Sequence, residues 1–333
     1  MKKASFAIML VLLAIVVAIS LGPVQAKQSW TVTAGGAIKG FAVVTNTYQP
    51  RNIEVAVGDT VTWKYQEFHT VTFLGGQPPL NPFVQEGNRL IGNPQVFFPT
   101  GDKTYDGTGF RNSGTPPLDI EGLLKFRYSL TFTKSGSYEY VCLIHGPLMN
   151  GTVVVKDRVS VTSAAFTKRA QAEQAASLKA GEAVWAKFKP ERQGNNVVIT
   201  LTGDQNTGFS IYRFTREPLV ISRGTTVTWQ VRDPFEIHTV TFLSGQKPPD
   251  FVVVEPQKGG PPKLVFPEKA VQPTQTKTYA GTGYVNSGIL FPPGTPGNPP
   301  SSFSLTFTKP GRYEYRCLVH DDPEKMLGTI IVK

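Results

Sequence analysis

Cysteine, histidine and methionine are all scarce in this 333-residue chain, with two, four and four copies respectively. So few cysteines exclude a disulfide-built scaffold. Charged residues make up only 17% of the chain, and no Lys/Arg-rich run interleaves with aromatics, so a nucleic-acid partner is not expected. Acidic residues are outnumbered 24 to 34, giving a formal charge of +10 that favours acidic partners or anionic surfaces. Long apolar runs are missing everywhere but the N-terminus, so no second membrane span is expected after it.

That one run, from about Ala4 to Leu21 behind Lys2 and Lys3, reads as an export leader. Val24-Gln25-Ala26 fits a small-x-small cleavage site, with residues 1–26 removed and a mature start at Lys27. Losing Lys2 and Lys3 takes the charge from +10 to +8. The run is also long enough to serve, uncleaved, as an N-terminal anchor. No cysteine lies near Ala26 and no arginine pair precedes the run, which excludes lipoprotein and twin-arginine processing. The expected location is exported: periplasmic, extracellular or at the cell surface.

Gly (32) and Pro (27) are plentiful, as in an all-β chain rich in turns. The chain also repeats itself. VAVGDTVTW at 55–63 resembles ISRGTTVTW at 221–229, and HTVTFL recurs at 69 and 238. TYDGTGFRNSG at 104–114 matches TYAGTGYVNSG at 278–288, and SLTFTKSGSYEYVCLIH at 129–145 matches SLTFTKPGRYEYRCLVH at 304–320. Constant order and spacing mean a tandem duplication. Alternating Val, Thr, Tyr and Phe cut by Gly and Pro read as strands. The chain therefore divides into domains at 27–157 and 193–333, each a Greek-key β-sandwich or barrel, with a linker at 158–192. Residues 163–180 are Ala-rich and free of Gly and Pro, predicting a connecting helix capped by Ser163 and ended by Gly181, a spacer between the domains. Proline-rich stretches at about 75–103 and 244–277 read as loops that shield or shape a docking face.

Every histidine and cysteine falls in one of two like sets: His69, Cys142, His145 and Met149, then His238, Cys317, His320 and Met326. Two imidazoles, a thiolate and a weak thioether are the donors of a blue-copper site. A Cys142–Cys317 disulfide would be ordinary in an exported chain, but each cysteine holds the same place in its own repeat, three residues before a histidine. Zinc also accepts two His and a Cys, yet a methionine as fourth neighbour argues for copper.

The pattern Tyr-x-Tyr-x-Cys-x-x-His-x(n)-Met with an upstream His resembles the cupredoxin family, the plastocyanin, amicyanin and pseudoazurin group, over both halves. The resemblance implies one type 1 copper per domain, two in all. It implies His69, Cys142 and His145 as equatorial ligands with Met149 axial, and His238, Cys317, His320 and Met326 likewise. The departures are Thr70 and Thr239, where the family often has an Asn bonded to the ligand loop, and the longer spacing to Met326. With every histidine used and no His-x-His, there is nothing to build an oxidase or nitrite-reductase centre, so an enzyme is not expected. One Cys per loop excludes a binuclear purple site. The expected function is the shuttling of single electrons between redox partners, among them membrane-bound electron-transport components. The competing reading is copper storage or delivery. The family resemblance also implies that His145 and His320 reach the surface as electron ports. Their collars differ: Gly146, Pro147 and Leu148 around one, Asp321, Asp322 and Glu324 around the other. Two docking faces and two potentials are therefore expected.

Overall fold

The computed structural model describes residues 26–333. The leader thus lies outside the described residues, apart from Ala26. Among the described residues no helix is long and apolar enough to cross a membrane.

Each repeat folds into two facing five-stranded sheets. In the first, one sheet runs Tyr48–Gln49, Ser29–Ala34, Thr60–Tyr65, Arg127–Phe132, Thr104–Tyr105. The other runs Arg111–Asn112, Thr72–Phe73, Gly136–Val141, Asn150–Lys156, Asn52–Ala56. The second repeat has the same plan around Thr226–Val231 and Gly311–Arg316, except that one edge strand, Glu191–Gln193, precedes its neighbour Asn196–Leu201 in the chain instead of following it. Alternation decides which side faces in: Val61, Trp63 and Tyr65 are buried while Thr60, Thr62 and Lys64 are not, and Val227, Trp229 and Val231 repeat the pattern. Trp63 packs edge-on against Phe73 and Tyr140, and Trp229 against Phe242 and Tyr315.

The two units do not sit at opposite ends of a spacer. They are stitched together by two sheets that belong to neither alone. Val43–Thr45 pairs antiparallel with Phe209–Ile211, Val44 opposite Ser210. Arg89–Gly92 pairs antiparallel with Lys263–Phe266, Ile91 opposite Val265. In each case corresponding segments of the two repeats meet each other, the self-complementary contact of a two-fold axis. An apolar cluster joins both units, including Val96, Phe97 and Leu143 from one and Phe266, Val271 and Leu318 from the other.

Two expectations are corrected here. The stretches at 75–103 and 244–277 are not structureless: they form the hairpins Phe83–Glu86 with Arg89–Gly92 and Val253–Glu255 with Lys263–Phe266, and these make up the second shared sheet. The linker helix runs Ser163–Lys187, with Thr162 rather than Ser163 as the capping side chain, and it passes straight through Gly181. Gly181 is there for packing. A Cβ on it would lie 2.3 Å from Val43 Cγ1 and 3.0 Å from the Phe209 ring, on two neighbouring strands of the three-stranded first shared sheet. Ser177 bonds Thr45 and Gln174 donates to the Gly35 carbonyl on the same side of the helix. The helix is a clamp laid across the joint, not a rod that separates two bodies.

Gly181→Ala will therefore lower stability although alanine is the better helix former. Overpacking costs about 1–3 kcal/mol, against about 1 kcal/mol of helix propensity gained. Urea unfolding reads the difference, and a variant more stable than the parent would contradict the packing role.

Candidate metal centres

In each unit the strand carrying Tyr-Glu-Tyr ends at the cysteine, and the next turn carries a histidine. A hydrogen bond closes the loop behind it: Cys142 N–H donates to the Met149 carbonyl (2.9 Å), and Cys317 N–H to that of Met326 (3.0 Å). The two extra residues of the second loop are absorbed without disturbing that closure, with Lys325 at positive φ just before Met326. Both methionines end up in the same apolar core as their cysteine. The remote histidines, His69 and His238, come from the segment just before a core strand (Thr72–Phe73, Thr241–Phe242) that neighbours the cysteine strand.

The donor atoms converge. His145 Nδ1 lies 2.9 Å from His69 Nδ1 and 3.4 Å from Cys142 Sγ. In the second unit Cys317 Sγ is 4.0 Å from His238 Nδ1 and 3.6 Å from His320 Nδ1. All three donor atoms of each set fall within 4.8 Å of one another, and all six residues are buried. Both thiols are free. Each sulfur accepts a backbone N–H, from Thr70 at 3.4 Å and Thr239 at 3.3 Å. Burial alone would raise the Cys142 thiol. The neighbouring His145 ring, with hydrogen bonds from His145 and His69, outweighs it and holds the thiol well below its ordinary range. His320 and His238 do the same for Cys317.

The Thr70 hydroxyl accepts the Leu143 N–H at 2.8 Å, and Thr239 accepts that of Leu318 at 2.7 Å. Each hydroxyl is braced by the next threonine: Thr70 to Thr72, Thr72 to Asn112, and in the second unit Thr239 to Thr241 to Asn286. The asparagine also donates to the carbonyls of Val96 or Ala270. The repeated Asn-Ser-Gly segment thus anchors the ligand loop through a buried relay.

The loop histidines are where sequence reasoning went astray. They are not surface ports. His145 and His320 are 8% and 6% exposed, and they face one another across the joint. Between them lies a residue that sequence reasoning passed over. Glu236 Oε1 is 3.2 Å from His145 Nε2, and its Oε2 is 3.4 Å from His320 Nε2. Tyr212 and Asn46 also donate to Oε1, at 2.8 and 3.0 Å, so both units supply partners to one carboxylate. Tyr212 stacks on the His320 ring at 4.0 Å. Asp233 fixes the turn by accepting the N–H groups of Phe235 and Glu236, and Phe235 plugs into the core of the other unit. Burial would raise the Glu236 carboxyl, but His145 and then His320 hold it well below the carboxylate range. His320 is pushed up to about 10, its burial outweighed by Cys317 and Glu236.

The acidic collar is only partly free: Asp321 pairs with Arg316 at 2.9 Å, Glu324 is half-buried and Asp322 is exposed. A Glu-x-His pattern, Glu67-Phe68-His69 and Glu236-Ile237-His238, was the signal available in the sequence. Glu67, the counterpart of Glu236, is buried with its Oε1 unpartnered, and burial pushes it up to about 8.

No family model matches the chain. Amicyanin of Paracoccus denitrificans is 29% identical over 136 residues, 40% of this chain and 76% of that protein. Solved structures of amicyanin variants are similar over like stretches. One in the copper(I) form is 27% identical, covering 40% of this chain and 86% of its own, with a TM-score of 0.24. One in the oxidised state is 25% identical, covering 38% and 82%, also at 0.24. Over about 40% of its length the chain is similar to amicyanin.

Replacing Thr70 or Thr239 by Val will leave the Leu143 or Leu318 N–H buried without an acceptor, costing about 1–3 kcal/mol. Thermal unfolding of the metal-free protein measures the loss. Val variants as stable as the parent would remove the hydroxyl relay from the account of the loop.

Proposed function

We propose that the protein is an exported electron carrier holding two type 1 copper ions, one per unit, and that it is not an enzyme. The observation that carries this reading is the pair of buried, convergent donor sets, two imidazole Nδ1 atoms and one thiol in each, with a methionine in the same core. The donors suit copper by their softness and number, and the similarity to amicyanin supports the same choice. Bound there, copper supplies a centre that cycles between two oxidation states by one electron.

The protein's part is to keep the donors still. Thr70 and Thr239 pin the ligand loops, the backbone N–H of each same threonine steadies the thiolate, and the closed loop fixes the methionine. A rigid set changes little between oxidation states, which lowers the reorganisation each transfer requires. Burial of every donor favours this over storage or delivery, which needs metal to come and go. The leader supports export to the periplasm or cell surface, with redox proteins as partners, including membrane-bound ones.

The mature chain loaded with copper(II) should carry two coppers and an intense blue absorption. Cys142→Ser and Cys317→Ser should each remove one copper and its share of the colour. Copper affinity should fall on acidification, because thiolate and neutral imidazole must be free of protons to bind. One copper in the intact chain, or two without blue absorption, would refute the reading.

A further inference from the structure

The family-like expectation leaves each loop histidine as a port to an outside partner. Here both ports open onto the same buried carboxylate. The path from one donor set to the other is short in chemical terms: His145 ring, Glu236 carboxylate, His320 ring, with gaps of 3.2 and 3.4 Å. His145 Nδ1 and His320 Nδ1 face their metal positions, so Nε2 of each ring is the atom left to meet the other unit. Glu236 is 3% exposed and held by four donors, two from each unit, so water does not compete for it. No comparable bridge is offered by Glu67, whose Oε1 is unpartnered.

We propose that Glu236 is the internal electron link between the two metal centres, making the pair one two-electron unit that equilibrates within the chain rather than two independent carriers. The inference rests on the copper reading of both sites. In the step itself one centre loses one electron as the other gains it. No bond to a ligand forms or breaks, and the Nε2 protons stay on their rings, shared with the carboxylate. The driving force comes from the unlike axial loops, which set unlike potentials.

Two measurements test this. In the metal-free protein labelled with 15N-histidine, His145 and His320 should each show an exchange-protected Nε2–H signal, and both should move in Glu236→Gln. Rapid exchange of both protons with water in the parent would overturn the bridge.

In the two-copper protein, Met326→Gln offsets the second site in potential and spectrum. After flash reduction by a small one-electron donor, the electron should redistribute between sites at a rate independent of protein concentration. Glu236→Gln, which can accept only one imidazole N–H through its single carbonyl, should slow that rate, and Glu236→Leu should slow it further. Glu67→Gln should leave it unchanged. Equal rates in the parent and in Glu236→Leu, with both coppers bound and blue, would overturn the link while leaving the copper reading intact. Equal slowing by Glu67→Gln would overturn it as well. Failure of the parent to bind blue copper would overturn the reading beneath it.

Discussion

Two imidazoles from different halves of the chain rest on one buried carboxylate. A charge so deep is tolerable only when fully paired, since leaving one partner unmatched costs several kcal/mol. Much of the joint serves that requirement. The two shared sheets close the flanks, Phe235 anchors the turn in the opposite core, and the long helix seals one side. Gly181 lets the helix approach closely enough to do so.

Within each unit the constraint is different in kind. The donor atoms must hold their places whether or not charge is added, and three residues share that work: a threonine hydroxyl on the loop backbone, a second threonine behind it, and an asparagine that ties both to a neighbouring turn. The relay is identical in both repeats, whereas the axial loops differ in length. Rigidity is thus the repeated property, and axial detail is the variable one.

The β-sandwich of each half and the grouping of its donors were legible because they follow from local pattern: period-two alternation, turn residues, and a Cys-x-x-His element recurring at a fixed offset. What joins the halves was not, because pairing between domains leaves no periodicity of its own. The stretches at 75–103 and 244–277 hide short strands among prolines and glycines that otherwise mark loops. Gly181 sits where a helix C-terminus would put it, and only its neighbours Val43 and Phe209 reveal that the missing Cβ is the point. Glu236 stands two residues before a histidine in plain view. A lone carboxylate carries no sign of the imidazole it meets from another domain.

The paired segments Val43–Thr45 with Phe209–Ile211 and Arg89–Gly92 with Lys263–Phe266 have the form of a dimer of identical subunits. A true dimer would be bound by its symmetry: whatever stood beside the axis on one side would stand there on the other. Covalent fusion lifts that obligation. In this chain one glutamate of the equivalent pair is gripped by both rings, while its twin keeps a carboxyl oxygen idle. A single chain can therefore keep a handed, single-copy occupant between its two halves, which no assembly of identical subunits could maintain in every molecule.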